Sequence, residues 1–262
     1  MTQRICKLLA AAAAVVLLQS CSAIDKRTGA NSTGSGSSIE SSAVSSDDSA
    51  DPAAPEGGGI GTSTASAGEI LDYFAEIAFG SEYGDSSDKL CRWENEILYT
   101  VTGAPTKADL ELISIIVDSL NSINGFPGMR EAGTLEDANF EIMFVTRDKI
   151  VELFDDADMS CTGMSEYRWY TESCEIFEAR AAIDCEEEAE RNSTICEEIL
   201  QSMGLAMDSY AHPDSVFYQG PCYYSRPSKL DYAVLKLLYS PKLEAGMSRY
   251  ESIIAAAGEL RW

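Results

Sequence analysis

No aromatic residue occurs before Tyr73, so nothing ahead of that position can seed a packed core. Ser22 to about Ser66 is Ser, Gly, Ala, Thr, Asp and Pro with scattered charge. Such a stretch has too little to bury to offset its ordering entropy, and it is expected to be a disordered tether. About 45 residues of flexible coil reach roughly 35–40 Å. Gly57-Gly58-Gly59-Ile60-Gly61 falls inside it with no strand ahead, and reads as linker rather than phosphate loop. The remaining chain, 67–262, has the composition of one domain; about 195 residues can bury roughly 70% of their surface.

Charge and histidine content then remove whole classes of function. Asp+Glu 43 against Lys+Arg 19 gives a net charge of −24, which repels nucleic acid and gives the folded part no basic patch for an anionic membrane. A single histidine, His212, excludes any site needing two or three imidazoles, which covers the usual catalytic zinc sets. No Gly-x-Ser-x-Gly elbow or P-loop is present.

Arg4 and Lys7 precede an apolar run, Leu8 to Leu18, that is too short to span a bilayer. Leu18-Gln19-Ser20-Cys21 follows, and the whole resembles the leader and lipobox of bacterial lipoprotein precursors. The resemblance implies a signal peptide over 1–20 that is removed and a lipid-modified Cys21. The protein would then be held by that anchor on the extracytoplasmic face of the bacterial cell membrane. Of eight cysteines, Cys6 would leave with the leader and Cys21 would carry lipid. Cys91, Cys161, Cys174, Cys185, Cys196 and Cys222 remain, an even set in an oxidising compartment, and three disulfides are expected with all fifteen connectivities open. The absence of Cys-x-x-Cys argues against redox catalysis and zinc ribbons.

Within the domain, helical spacing predicts helices over 69–79, 105–123, 147–154, 186–203, 228–239 and 248–260. Strands are expected over 96–102 and 138–146, with one or two more over 168–184. This is an α+β order. Glu186-Glu187-Glu188 is expected in the first turn of its helix, where carboxylates favour the macrodipole. On that helix Ile195, Ile199 and Met203 face the core, which leaves Glu197 and Glu198 to the solvated side.

Cys196-Glu197-Glu198-Ile199-Leu200-Gln201-Ser202-Met203-Gly204-Leu205 resembles the zinc-binding helix of metzincin proteases, His-Glu-x-x-His-x-x-Gly-x-x-His. In that motif i and i+4 imidazoles grip zinc and the glutamate between them activates water. Here Glu197, Gln201 and Met207 stand at the three histidine positions, while Glu198 keeps the general-base position and Gly204 the turn. Ser215-Val216-Phe217-Tyr218 is similar to the Met-turn, with Phe217 at the methionine, and 231–239 to the helix after it. Arg92-Trp93, 120–125, 138–142, 196–205, 238–243 and Gly246-Met247 together resemble a family of uncharacterised exported bacterial domains with a zincin-like core. The implied fold is a single α+β, zincin-like domain: a mixed sheet with an active-site-type helix, behind the tether.

An amide and a thioether are poor ligands for a hard divalent ion. The expected protein is therefore a pseudoenzyme without metal or cofactor. It would act by binding a peptide or envelope polymer, or as envelope structure. The alternative is a peptidase-like metal hydrolase with Glu198 as base and ligands from Glu197, His212 and Asp208.

Overall fold

The structure is a computed structural model that describes residues 3–11, 65–79, 88–220 and 224–260, with the backbone alone for 3–11. Cys21, the tether through residue 64, and Cys222 lie outside the described residues.

Four helices start on a Ser or Thr whose hydroxyl accepts from the third helical N–H, while the acidic side chain there reaches back to the cap. They are α1 (Ala67–Ile77, Ser66/Glu69), α2 (Lys107–Asn121, Thr106/Asp109), α5 (Lys229–Leu238, Ser228/Asp231) and α6 (Arg249–Glu259, Ser248/Glu251). The remaining helices, α3 (Arg147–Leu153) and α4 (Arg191–Gln201), have no side-chain cap.

The strands are β1 (Gln3–Ala11), β2 (Arg92–Trp93), β3 (Ile97–Gly103), β4 (Met129–Glu131), β5 (Phe140–Val145), β6 (Cys161–Tyr170) and β7 (Glu175–Asp184). They form one sheet in the order β1-β6-β7-β5-β3-β4, with β2 on the early end of β7. β4, β3, β5 and β7 run parallel, and β2 joins β7 in the same sense. β6 is antiparallel to β7, and β1 is antiparallel to β6 from Gln3↔Tyr170 to Ala11↔Cys161. The leader-like residues thus supply an edge strand. The whole is a mixed α/β domain with a parallel-dominated sheet.

Strand alternation splits the sheet into two unlike faces. Phe140, Ile142, Phe144, Tyr167, Trp169, Ala181 and Ile183 enter the main core with apolar residues of α1, α2, α4 and α5. On the opposite face Met143, Met164 and Ala182 pack with Ile150 and Phe154 under α3. Beyond α3 that face is charged. Glu141, Glu166, Arg168, Glu178 and Arg180 line a groove of about 340 Å³.

Two expectations change. β6 begins at Cys161, well before the expected strand at 168, because β1 and β7 pair with it there; its inward residues include Gly163 and Ser165, so no apolar alternation marks it in the sequence. α4 begins at Arg191, so Glu186-Glu187-Glu188 does not occupy a helical first turn. Local bonds hold that segment elsewhere: Glu186 N–H donates to Asp184 Oδ1 at 3.0 Å, Ala189 N–H to Glu187 Oε1 at 2.9 Å, and the Arg191 guanidinium to the carbonyls of Glu187 and Cys185. Cys91, Cys161, Cys174, Cys185 and Cys196 are not joined to one another in this structure. They are spread over the chain before β2, the start of β6, the β6–β7 turn, the end of β7 and α4.

Candidate functional site

The helix that carries the motif lies across β6 and β7, and every residue from Ser193 to Gln201 is buried. Glu197 and Glu198 retain only 8% and 0% of their surface, so the expectation of a solvated acidic face is wrong. The reason is on β6. A Cβ at Gly163 would lie 2.4 Å from Thr194 Cγ2 and 2.6 Å from Glu198 Oε1, so the missing side chain lets α4 settle onto the sheet and carries Glu198 inward. Thr162 and Thr194 meet through their hydroxyls at 3.3 Å beside it.

One turn on, Gln201 is committed on both sides of its amide. Its Nε2 donates to Asp208 Oδ1 at 2.7 Å, and its Oε1 accepts from Ser165 Oγ at 3.4 Å, all three side chains being buried. The carboxyl end of α4 is held from two directions. Trp93 Nε1 donates to Ser202 O at 2.9 Å and Tyr239 Oη to Met203 O at 2.9 Å. Gly204 then turns the chain with φ +110°, its Cα so close to the Cys91 carbonyl that a Cβ would sit 2.3 Å from that oxygen. Met207 is half-buried against the main core, and its N–H donates to Ile77 O at 3.1 Å.

The loop after Asp208 folds under this cluster. Ser209 N–H donates to Phe217 O at 2.8 Å and Gln219 N–H to Ser209 O at 3.0 Å, which closes the loop around a fully buried Phe217. Ser215 is its hub: its Oγ accepts from Tyr73 Oη at 2.7 Å and from Phe217 N–H at 3.1 Å, and donates to Asp231 Oδ1. Asp231 Oδ2 takes the Ser228 N–H at 2.6 Å and the Val216 N–H at 3.3 Å. One carboxylate therefore starts α5 and anchors the turn. Burial pushes the Asp231 carboxyl up to about 6 against the pull of those donors, and raises the Tyr73 phenol well above its ordinary range.

The structure thus joins Gln201 with Asp208 but leaves His212 apart, its ring edge-on to Tyr73 at 4.5 Å between centroids. Among the described residues no group of three or more His, Cys, Asp or Glu side chains is placed to hold a metal ion. Around Gln201 and Ser215 the arrangement supplies buried hydrogen bonds between side chains. Ser165 and Tyr73 belong to no sequence motif, and the resemblances of 215–218 to the Met-turn and of 231–239 to the helix after it assign Ser215 and Asp231 no hydrogen-bonding role. Ser228-x-x-Asp231 was a readable capping signal for one of them. No local signal pairs Tyr73 with Ser215, 142 residues away.

A mixed α/β domain with a buried acidic helix over its sheet is the class this fold defines. A family model described as "Protein of unknown function (DUF2927)" matches residues 67–255, and the chain belongs to that family. The match begins at the residue after the Ser66 cap. Searches of curated proteins and of solved structures returned no match.

Proposed function

We propose that this chain is a lipid-anchored extracytoplasmic protein whose zincin-like domain binds an extended polypeptide without cleaving it. The observation that carries the reading is the engagement of Gln201 by Asp208 and Ser165. The residue aligned with a zinc-binding histidine is spent on internal bonds, as is the carboxylate that the hydrolase alternative needs as ligand. Glu198, aligned with the general base, is packed against Gly163.

The binding half of the reading draws support from β1. Gln3–Ala11 lies antiparallel along β6 over nine residues, the geometry in which an extended peptide adds to a sheet edge. Removal of 1–20 would open that edge. No helix among the described residues is long and apolar enough to cross a membrane; what supports attachment through Cys21 is the lipobox-like Leu18-Gln19-Ser20-Cys21.

Two measurements test this. Protein purified after growth in zinc-supplemented medium should contain well under one zinc per chain, and a stoichiometric ion would refute the non-catalytic reading. Cys21→Ala should move the protein from the membrane to the soluble fraction of the envelope, since the acyl chains contribute about 0.8 kcal/mol per buried CH₂. A variant that still sediments with membranes would refute the anchor.

A further inference from the structure

Cys174 is the only non-glycine among the described residues with a positive φ, 57°. That left-handed region suits glycine and asparagine, and a cysteine there is a backbone outlier that points to a use for its sulfur. It closes the turn between β6 and β7, with its N–H donating to Tyr170 O at 2.7 Å. The next residue, Glu175, is in register with Arg92 of β2. Cys91 and Cys174 therefore precede the two members of a parallel pair, and Arg92 N–H donates to Cys174 O at 3.4 Å. The strands that start at the next residues lie about 4.8 Å apart, and a disulfide spans roughly 4.4–6.8 Å between Cα atoms, so the bridge would close the mouth of this pair. Both cysteines are buried.

We propose that Cys91 and Cys174 form a disulfide when the chain meets an oxidising compartment. The thiolate of one attacks a disulfide-bearing oxidant, and the second thiolate displaces it. The two thiols give up two electrons and two protons, an Sγ–Sγ bond forms, and the oxidant leaves as its dithiol.

The location of that oxidation rests on the extracytoplasmic reading above; the pairing rests on the register. The bond would secure β2, which pairs with β7 over only Arg92 and Trp93. Through Trp93 on Ser202 and the Cys91 carbonyl against Gly204, β2 supports the end of α4. The crosslink is thus a covalent brace for the helix that carries Glu197, Glu198 and Gln201.

The test is peptide mapping of the full chain after reduction and reoxidation in a glutathione buffer. A Cys91–Cys174 linked peptide is expected, with Tm higher by about 5–15 °C than in the reduced protein. Cys174→Gly should separate the two roles of the residue. Under reducing conditions it should match or exceed the parent, because glycine accepts the backbone; under oxidising conditions it should fall below it. Either cysteine linked elsewhere, or both still alkylated by iodoacetamide after reoxidation, overturns the proposal. If the pair forms in vitro but protein extracted from the envelope carries both as thiols, the pairing stands and the location fails.

Discussion

Replacing Gly163 with alanine should lower the stability of the domain by about 3 kcal/mol, at the upper end of overpacking costs. The added methyl has no room, since it would fall inside the contact distances of both Thr194 Cγ2 and Glu198 Oε1. Neither can retreat cheaply: Thr194 Oγ1 also donates to Glu190 O at 3.0 Å, and Glu198 is enclosed between α4 and β6. The helix must lift from the sheet, and every buried residue of α4 loses packing. Urea unfolding should show a lower midpoint at unchanged slope. Adding Thr194→Ser, which removes the offending Cγ2, should restore part of the loss, with a coupling energy of about 1 kcal/mol. A Gly163→Ala protein as stable as the parent would mean that α4 does not rest on β6 in this way.

The second large effect concerns pH. Burial holds the Asp231 carboxyl at about 6 in the fold, against 3.8 as its ordinary value. Between those values the folded chain keeps a proton that the unfolded chain has lost, so this group's contribution to stability falls as pH rises from about 4 to 6. Above that window the buried charge costs the native state about 3 kcal/mol relative to low pH. Asp231→Asn removes the titrating group. Its deficit against the parent should be largest near pH 4 and shrink by up to about 3 kcal/mol by pH 7.5, as read from denaturant midpoints across pH. A deficit that does not vary with pH would show that Asp231 is ionised throughout.

Much of the domain's outline was legible because its signals are local. α1, α2, α5 and α6 each combine an apolar stripe with a Ser/Thr-x-x-Asp/Glu start, and a helix needs little more to be read. β3 and β5 are β-branched and aromatic runs. What escaped was decided by partners distant in the chain. β6 is a strand because β7 and β1 flank it, not because Cys161-Thr162-Gly163-Met164-Ser165-Glu166 alternates. Glu197 and Glu198 look like surface residues in any sequence window. Both are buried, and for Glu198 the space comes from Gly163 on β6, a relation no periodicity reports. The motif spacing from Glu197 to Gly204 marks a stretch of chain, but not what Gln201 does in it. Its partners lie 36 residues away at Ser165 and 7 away at Asp208.

The lack of a capping box on α4 has a further meaning. The other long helices carry their own start instructions and would keep them in a new host. α4 takes its start from Arg191 bonds to carbonyls behind it and to Asp109 of α2, and its packing face from a notch in β6. It is not a portable module: a graft of this segment would need the strand beneath it and the aspartate beside it to travel along.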